Sequence, residues 1–236
     1  MSLRSSALRL LDPAIERHAT KVSRVVAQLR HHAYSPFRAS PISFKKKAVS
    51  HPVPKRHDRR RLDPKIDISD LDEILEIDVA ARTCTAEGGV TFVDLVAAPL
   101  RHGLVPLVVP ELKTITVGGA VSGCSLESMS FQYSGFHDTC LAYEVITGRG
   151  EVLHCTPDNA HRLIFQMMYG SFGTLGVLSK LTFRLVPATA CEAGHGPGQR
   201  VSRAGPGREA SSSSRPSRWQ ALSGTSSRAA TRSRAP

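Results

Sequence analysis

The sequence predicts a mixed fold in which strands and helices alternate, of the α/β or α+β class and not a helical bundle or a β-sandwich. Three observations carry this. Segments of period 2 and of period 3.6 follow one another as far as Pro187. The chain has 236 residues, 41% of them hydrophobic, enough for one sizeable core. Beyond Pro187 the periodicity stops, and an Arg/Ser/Gly/Pro-rich tail without lysine begins. Such a composition cannot bury a core, so residues 189–236 are expected to be disordered.

Each element has its own signal. Asp12-Pro13 starts a helix, with Asp as N-cap and Pro at the first helical position. Leu11, Ile15, Val22, Val25, Val26 and Leu29 then recur at helical spacing, which predicts an amphipathic helix to about His32 with a core-packing face. From Ser35 to Arg61, four prolines break the chain into short strands joined by a basic loop. Lys65 to Ser69 and Ile74 to Val79 alternate as strands, and Thr83 to Glu87 forms a third that ends at Gly88-Gly89. Thr91 caps a helix with Phe92, Leu95, Val96 and Leu100 on its apolar face; Pro99 lies late in it and Gly103 ends it. Cys140 to Thr147 and Glu151 to Cys155 read as a hairpin around Gly148-Arg149-Gly150. Asn159 opens a helix over Ala160–Met168, and a last strand runs from about Leu175 to Leu185.

The formal net charge of +11 suggests an anionic partner, but it is concentrated in Lys45–Arg61 and in the tail. Charge runs of this kind are ordinarily solvated faces or arms. The tail has Trp219 as its only aromatic residue, so it lacks the stacking groups of single-strand binders, and no specific nucleic acid is expected. The five cysteines contain no C-x-x-C pair and their number is odd. That suits a reducing compartment better than a disulfide framework or a zinc site. No stretch approaches the ~20 apolar residues of a membrane span. A cytoplasmic protein is the default expectation.

Between Pro110 and Ser130 the chain reads PELKTITVGGAVSGCSLESMS, which is neither a dinucleotide fingerprint nor a P-loop. Gly118 and Gly119 leave the backbone unshielded, so that a pyrophosphate can approach its N–H groups. Thr116, Ser122, Ser125 and Ser128 supply hydroxyls for phosphate or ribose oxygens. A helix starting near Gly119 would add a favourable dipole. Glu127 can bond a ligand hydroxyl or cap that helix.

Four pieces in one order resemble the vanillyl-alcohol-oxidase family, whose domain is called the PCMH-type FAD-binding domain. They are Thr116-Val117-Gly118-Gly119, the Gly148-Arg149-Gly150 hairpin, Asn159-Ala160-His161-Arg162-Leu163 with Phe165, and Gly173-Thr174-Leu175-Gly176-Val177. Within that family, Val109-Pro110-Glu111-Leu112, Gly123, Glu127-Ser128 and Ser130 resemble the delta(24)-sterol reductase branch.

The resemblance implies an α+β fold of two small α/β subdomains. The amphipathic helix of residues 1–34 would belong to the FAD domain, and residues 35–188 would form its body. It implies that Thr116, Val117, Gly118, Gly119, Ala120, Val121, Ser122, Gly123, Cys124, Ser125, Leu126, Glu127 and Ser128, together with Gly173, Gly176 and Val177, bind non-covalent FAD. His51, His57 and His137 are the candidates by location for covalent attachment, and no residue pattern selects one. The family's first phosphate loop corresponds to the region around Lys45–Lys47, Lys55 and Arg56, which has no glycine, so cations would replace a backbone cradle there.

The implied activity is an FAD-dependent oxidoreductase acting on a CH–CH group, with NADPH as reductant and a sterol or other small apolar substrate. The implied location is cytoplasmic, or peripheral on the endoplasmic-reticulum membrane. Substrate contacts in the family come mainly from a cap domain that follows the FAD domain. None is recognisable after Pro187, so the sequence reads as a truncated member with no assignable catalytic residue. The alternatives are a flavin-binding fragment without turnover, an oxidase of another alcohol or hydroxy acid, and, more remotely, a basic nucleic-acid-binding protein.

Overall fold

The structure, a computed structural model, describes residues 13–36, 40–47 and 57–188, all within the unit Met1–Ala190. The expected Asp12 cap, Leu11, His51, Lys55, Arg56 and the tail from Thr189 lie outside the described residues.

Helix α1 spans Pro13–Ala33 and buries Ala14, His18, Val22, Val25 and Leu29. That stripe is close to the predicted one, but it is phased so that Ile15 remains 48% exposed. His18 takes a place on the buried face that periodicity alone would give to an apolar residue. Strands β1 (Ser43–Lys45) and β2 (Lys65–Asp67) pair in parallel beneath α1. Val22, Val25 and Leu29 pack with Ile66, Leu71, Ile146 and Val177 into a small core.

The larger sheet holds β3 (Ile74–Asp78), β4 (Thr83–Glu87), β5 (Leu104–Pro106), β6 (Cys140–Ile146), β7 (Val152–Cys155) and β8 (Val177–Pro187). Its order is β3-β4-β8-β6-β7, with β5 paired to the end of β8, and every pairing is antiparallel. Thus β3–β4 and β6–β7 are local hairpins, and the eleven-residue β8 is inserted between them. The main core joins this sheet to α2 (Phe92–Leu100) and α3 (Val117–Ser122). Phe136 is fully buried at its centre, 5.0 Å edge-to-face from Phe92 and 5.3 Å from Phe183.

The helix starts follow their caps. Thr91 Oγ1 accepts from the Asp94 N–H, and Thr116 Oγ1 accepts from the Gly119 N–H. The second cap places the start of α3 at Val117, ahead of the predicted position near Gly119. The short helix α4 covers Ser130–Tyr133. Asn159 does not itself cap the next helix. Its Oδ1 accepts from the N–H groups of Thr156 (3.3 Å) and His161 (2.9 Å), forming a turn, so α5 begins only at Arg162 and runs to Met167. The last strand likewise starts at Val177, because Gly173 (φ +80°) and Gly176 (φ +152°) hold the preceding segment out of strand geometry. No helix among the described residues is long and apolar enough to cross a membrane.

A buried ionic clasp fastens α1 to this sheet. His18 Nδ1 lies 2.7 Å from Glu87 Oε1 and its Nε2 lies 2.9 Å from Glu144 Oε1. Lys21 reaches Glu87 at 2.8 Å, Lys180 reaches Glu144 at 2.9 Å, and Ser179 Oγ donates to Glu144 at 2.7 Å. Burial opposes charge on His18, but its hydrogen bonds to Glu144 and Glu87 outweigh that and raise its pKa. Burial also opposes charge on Glu144, yet the bonds from His18, Lys180 and Ser179 hold its carboxyl down at about 2. The imidazole therefore acts as a cation donating from both ring nitrogens.

Candidate functional site

A cleft of about 370 Å³ opens where five stretches of chain converge. Phe44, Lys46 and Lys47 come from the end of β1, and Ile68, Ser69 and Leu71 from the turn after β2. Gly88 and Gly89 follow β4. Thr116, Gly118, Gly119, Ser122 and Gly123 come from α3 and its ends. Met168, Phe172, Gly173, Gly176, Val177 and Leu178 complete the wall. Volume and a largely apolar lining with a few polar groups are those of a cofactor cleft. The lining contains two lysines and no carboxylate.

Of the residues singled out in the sequence, Thr116, Gly118, Gly119, Ser122, Gly123, Gly173, Gly176 and Val177 line this cleft. Val117, Ala120 and Val121 face the opposite way, fully buried in the main core. Cys124, Ser125, Leu126, Glu127 and Ser128 pass beyond the cleft wall, with Leu126 67% exposed. Glu127 does not cap α3: it accepts from Ser125 Oγ (3.1 Å) and from the Glu111 N–H (3.3 Å), tying two loops together. His137 stacks on Tyr169 at 4.8 Å and does not line the cleft, nor does His57.

The role of the glycine pair differs from the sequence expectation. The Gly118 N–H donates to Gly88 O (2.9 Å), and the Gly119 N–H donates to Thr116 Oγ1 (3.2 Å). Neither group is left for a phosphate. Gly118 is glycine because two backbones cross there: a Cβ would stand 2.8 Å from Gly88 O and 3.2 Å from Gly88 Cα. Gly88 is held as tightly, since a Cβ on it would meet Leu178 O at 2.2 Å. At Gly119, by contrast, a Cβ would approach only Thr116 Oγ1 closely, at 3.1 Å. Its missing side chain is therefore room in the cleft.

Donors remain elsewhere. The Ser122 hydroxyl and the N–H groups of Gly173 and Gly176 have no protein partner among the described residues. Phe44 closes one side, with Cε2 3.2 Å from where a Cβ of Gly173 would stand. Phe172 is 80% exposed at the wall and adopts φ +49°, a left-handed conformation unusual for an aromatic residue. Gly88, Gly89, Phe44, Ser69 and Phe172 were not assigned to the site from the sequence. The Gly88-Gly89 pair was the one available signal, and it was read as the end of a strand.

The cleft fits an extended, phosphate-bearing ligand: bare backbone at Gly119, free donors at Ser122, Gly173 and Gly176, apolar walls and an excess of positive charge. Comparison with known proteins agrees. Residues 63–156 match the FAD binding domain family. The chain is 36% identical over 131 residues to the Delta(24)-sterol reductase homolog of Caenorhabditis elegans, covering 52% of this chain and 25% of that protein. It is 36% identical over 118 residues to human Delta(24)-sterol reductase, covering 50% and 23%. A third relative is the decaprenylphosphoryl-beta-D-ribose oxidase of Mycolicibacterium smegmatis, 32% identical over 123 residues, covering 52% and 26%. The matched stretch thus spans about a quarter of these relatives' length. The crystal structure of 6-hydroxy-D-nicotine oxidase from Arthrobacter nicotinovorans shares the fold, with a TM-score of 0.56 at 19% identity over 69% of this chain and 34% of that one. Residues 63–156 are thus similar to the FAD binding domain, about half of the chain is similar to part of the delta(24)-sterol reductases, and the fold is shared with 6-hydroxy-D-nicotine oxidase.

Proposed function

We propose that this domain holds non-covalent FAD in the glycine-walled cleft and serves a reductase of the delta(24)-sterol kind. The observation that carries the reading is the convergence of the Thr116–Gly119 segment, the Gly173–Val177 turn and the Lys46 region on one concave site without carboxylates. Bound FAD supplies two-electron hydride chemistry, here from NADPH to a carbon–carbon double bond in the side chain of a sterol or similar apolar substrate. The protein's part is binding and orientation. Gly119 leaves the backbone open to close approach, and Ser122 Oγ with the Gly173 and Gly176 N–H groups donates to cofactor oxygens. Phe44, Ile68, Leu71 and Met168 exclude water from one side. His57 and His137 lie outside the cleft lining, which argues against attachment through either; His51 lies outside the described residues.

The test is direct. Protein freed of ligand is titrated with FAD and followed by flavin absorbance and fluorescence, then NADPH is added without oxygen. Saturable one-to-one binding supports the site, and absence of binding refutes it. Bleaching of the bound flavin by NADPH supports the reductase assignment. A flavin that binds but is not bleached favours a flavin-binding unit without turnover of its own.

A further inference from the structure

The ionic clasp of α1 lies directly behind the cleft wall. Glu87 immediately precedes the lining pair Gly88-Gly89, and Ser179 immediately follows Val177-Leu178. Glu73, two residues beyond Leu71, joins the clasp by donating its N–H to Glu87 Oε2 (2.8 Å). The same three stretches meet through backbone: the Gly88 N–H donates to Ser179 O (2.9 Å) and the Gly89 N–H to Leu71 O (2.6 Å). The crossing has no slack. A Cβ on Gly88 would stand 2.2 Å from Leu178 O, and one on Gly89 would stand 2.3 Å from Leu71 O. Backbone packed this closely transmits a displacement instead of absorbing it.

His18 is buried, and both of its ring nitrogens face carboxylate oxygens, Glu87 Oε1 from β4 and Glu144 Oε1 from β6. The other charged groups around it are Lys21 of its own helix, Lys180 of β8 and, one step further out, Glu73 with Arg17. A neutral imidazole carries a single N–H. Loss of the His18 proton therefore sets a ring lone pair against a carboxylate oxygen at hydrogen-bond distance, in a site closed to water. The nearby donors are already placed, Lys21 on Glu87 and both Lys180 and Ser179 on Glu144. The contact is relieved by withdrawing α1 or by turning Glu87 or Glu144. Either movement pulls on the crossing of Gly88 with Leu178.

We infer that the proton on His18 holds the cleft in its ligand-binding shape, so that His18 is a positioning residue and FAD and that proton bind cooperatively. This rests on the reading of the cleft as an FAD site. FAD favours the clasped state because its contacts lie on the walls that the clasp fixes. Reciprocally, bound FAD makes His18 harder to deprotonate. The sign follows from the folded protein: against burial, the bonds to Glu144 and Glu87 raise the His18 pKa above 6.5. Proton and tight cleft are thus both present below that value and are lost together as pH rises through the raised pKa.

The experiment titrates FAD into the full chain by calorimetry from about pH 6 to about pH 9, in buffers of different ionisation enthalpy, so that affinity and proton uptake are both read. Folding is checked at each pH by circular dichroism. Wild-type affinity should be level on the acidic side and weaken by about tenfold above the His18 pKa, the size expected for one lost charge-assisted hydrogen bond. Within that interval FAD binding should take up a proton. His18→Gln, neutral at every pH, should bind at the weak level throughout and lose this uptake. Glu144→Gln removes one acceptor and should move the wild-type midpoint to lower pH, a shift that a merely structural role would not produce. Lys46 also lines the cleft and is retained in both variants, so its own titration cancels in the comparison. Wild type that binds FAD with a level affinity and no proton uptake overturns the inference and leaves the cleft assignment standing. So does a folded His18→Gln that keeps the wild-type profile. Should His18→Gln not fold, the wild-type proton uptake and the Glu144→Gln midpoint decide alone. Wild type that binds no FAD at any pH overturns both readings together.

Discussion

Gly118 and Gly119 are adjacent, but the structure gives them different reasons for being glycine, and single alanines should separate them. A methyl at Gly118 would stand 2.8 Å from Gly88 O and 3.3 Å from Gly88 C, against backbone that is itself fixed by the Gly118 N–H···O bond and by the Gly88 N–H to Ser179 O bond. The crossing can relieve this only by separating α3 from the end of β4. Overpacking of this kind costs about 1–3 kcal/mol. For a domain of this size, 2 kcal/mol lowers the melting temperature by about 4–8 °C. A methyl at Gly119 has only Thr116 Oγ1 nearby, at 3.1 Å, and gains up to ~1 kcal/mol of helix propensity. Gly119→Ala should thus melt within a degree or two of wild type but lose FAD affinity by at least about tenfold, because the methyl occupies cleft space. Differential scanning fluorimetry of ligand-free protein and flavin fluorescence titration read the two effects separately. A Gly118→Ala variant as stable as wild type, or a Gly119→Ala variant destabilised to the same degree, would refute the assignment of packing to one glycine and ligand space to the other.

Three further outcomes are expected. Replacing His18 by Ala leaves Glu87 and Glu144 facing each other with one donor fewer each, and denaturant unfolding should lose about 3 kcal/mol or more. Because the folded state raises the His18 pKa above 6.5, its stabilisation is complete below that value and disappears as pH rises through the raised pKa; Glu144, lowered from 4.5 to about 2, contributes above 4.5 and is lost as pH falls toward 2. Stability of wild type relative to His18→Ala should therefore shrink on the alkaline side, and a difference that grew there would contradict the clasp. Burial pushes the Cys84 and Cys140 thiols up to about 12, so maleimide labelling at mildly alkaline pH, mapped by peptide mass, should leave both unmodified in native protein while the half-buried Cys124 reacts. Phe172, 80% exposed, should be replaceable by Ala with under about 0.5 kcal/mol change in unfolding free energy, and any loss should appear in FAD affinity instead.

Much of the fold was legible because its signals are local. The cap at Thr91, the hairpin around Gly148-Arg149-Gly150 and the period of α1 depend on residues within a turn or two of each other. What escaped depends on distant partners. His18 occupies a core position because Glu87 and Glu144 lie opposite, 69 and 126 residues away. Gly88 enters the site only through its crossing with Gly118. The cleft itself was foreseen through a resemblance in residue order. Gly118, Gly119, Gly173 and Gly176, singled out in the sequence, line the cleft, but the Gly118 and Gly119 N–H groups are spent on Gly88 O and Thr116 Oγ1.

The position of β8 bears on how such a chain is made. Strands β4 and β6 do not pair with each other; each pairs with β8, the last element of the sheet to be synthesised. Until Val177–Pro187 has emerged, the ribosome presents two separate hairpins, each with an open edge facing the place the missing strand will take. Exposed edges of that kind invite pairing with other chains. Since Val177 and Leu178 also line the cleft, the cofactor cannot find its complete site during this interval. A holdase that covers strand edges, and not a supply of flavin, should be what protects the nascent protein, whereas flavin should protect it only once β8 is in place.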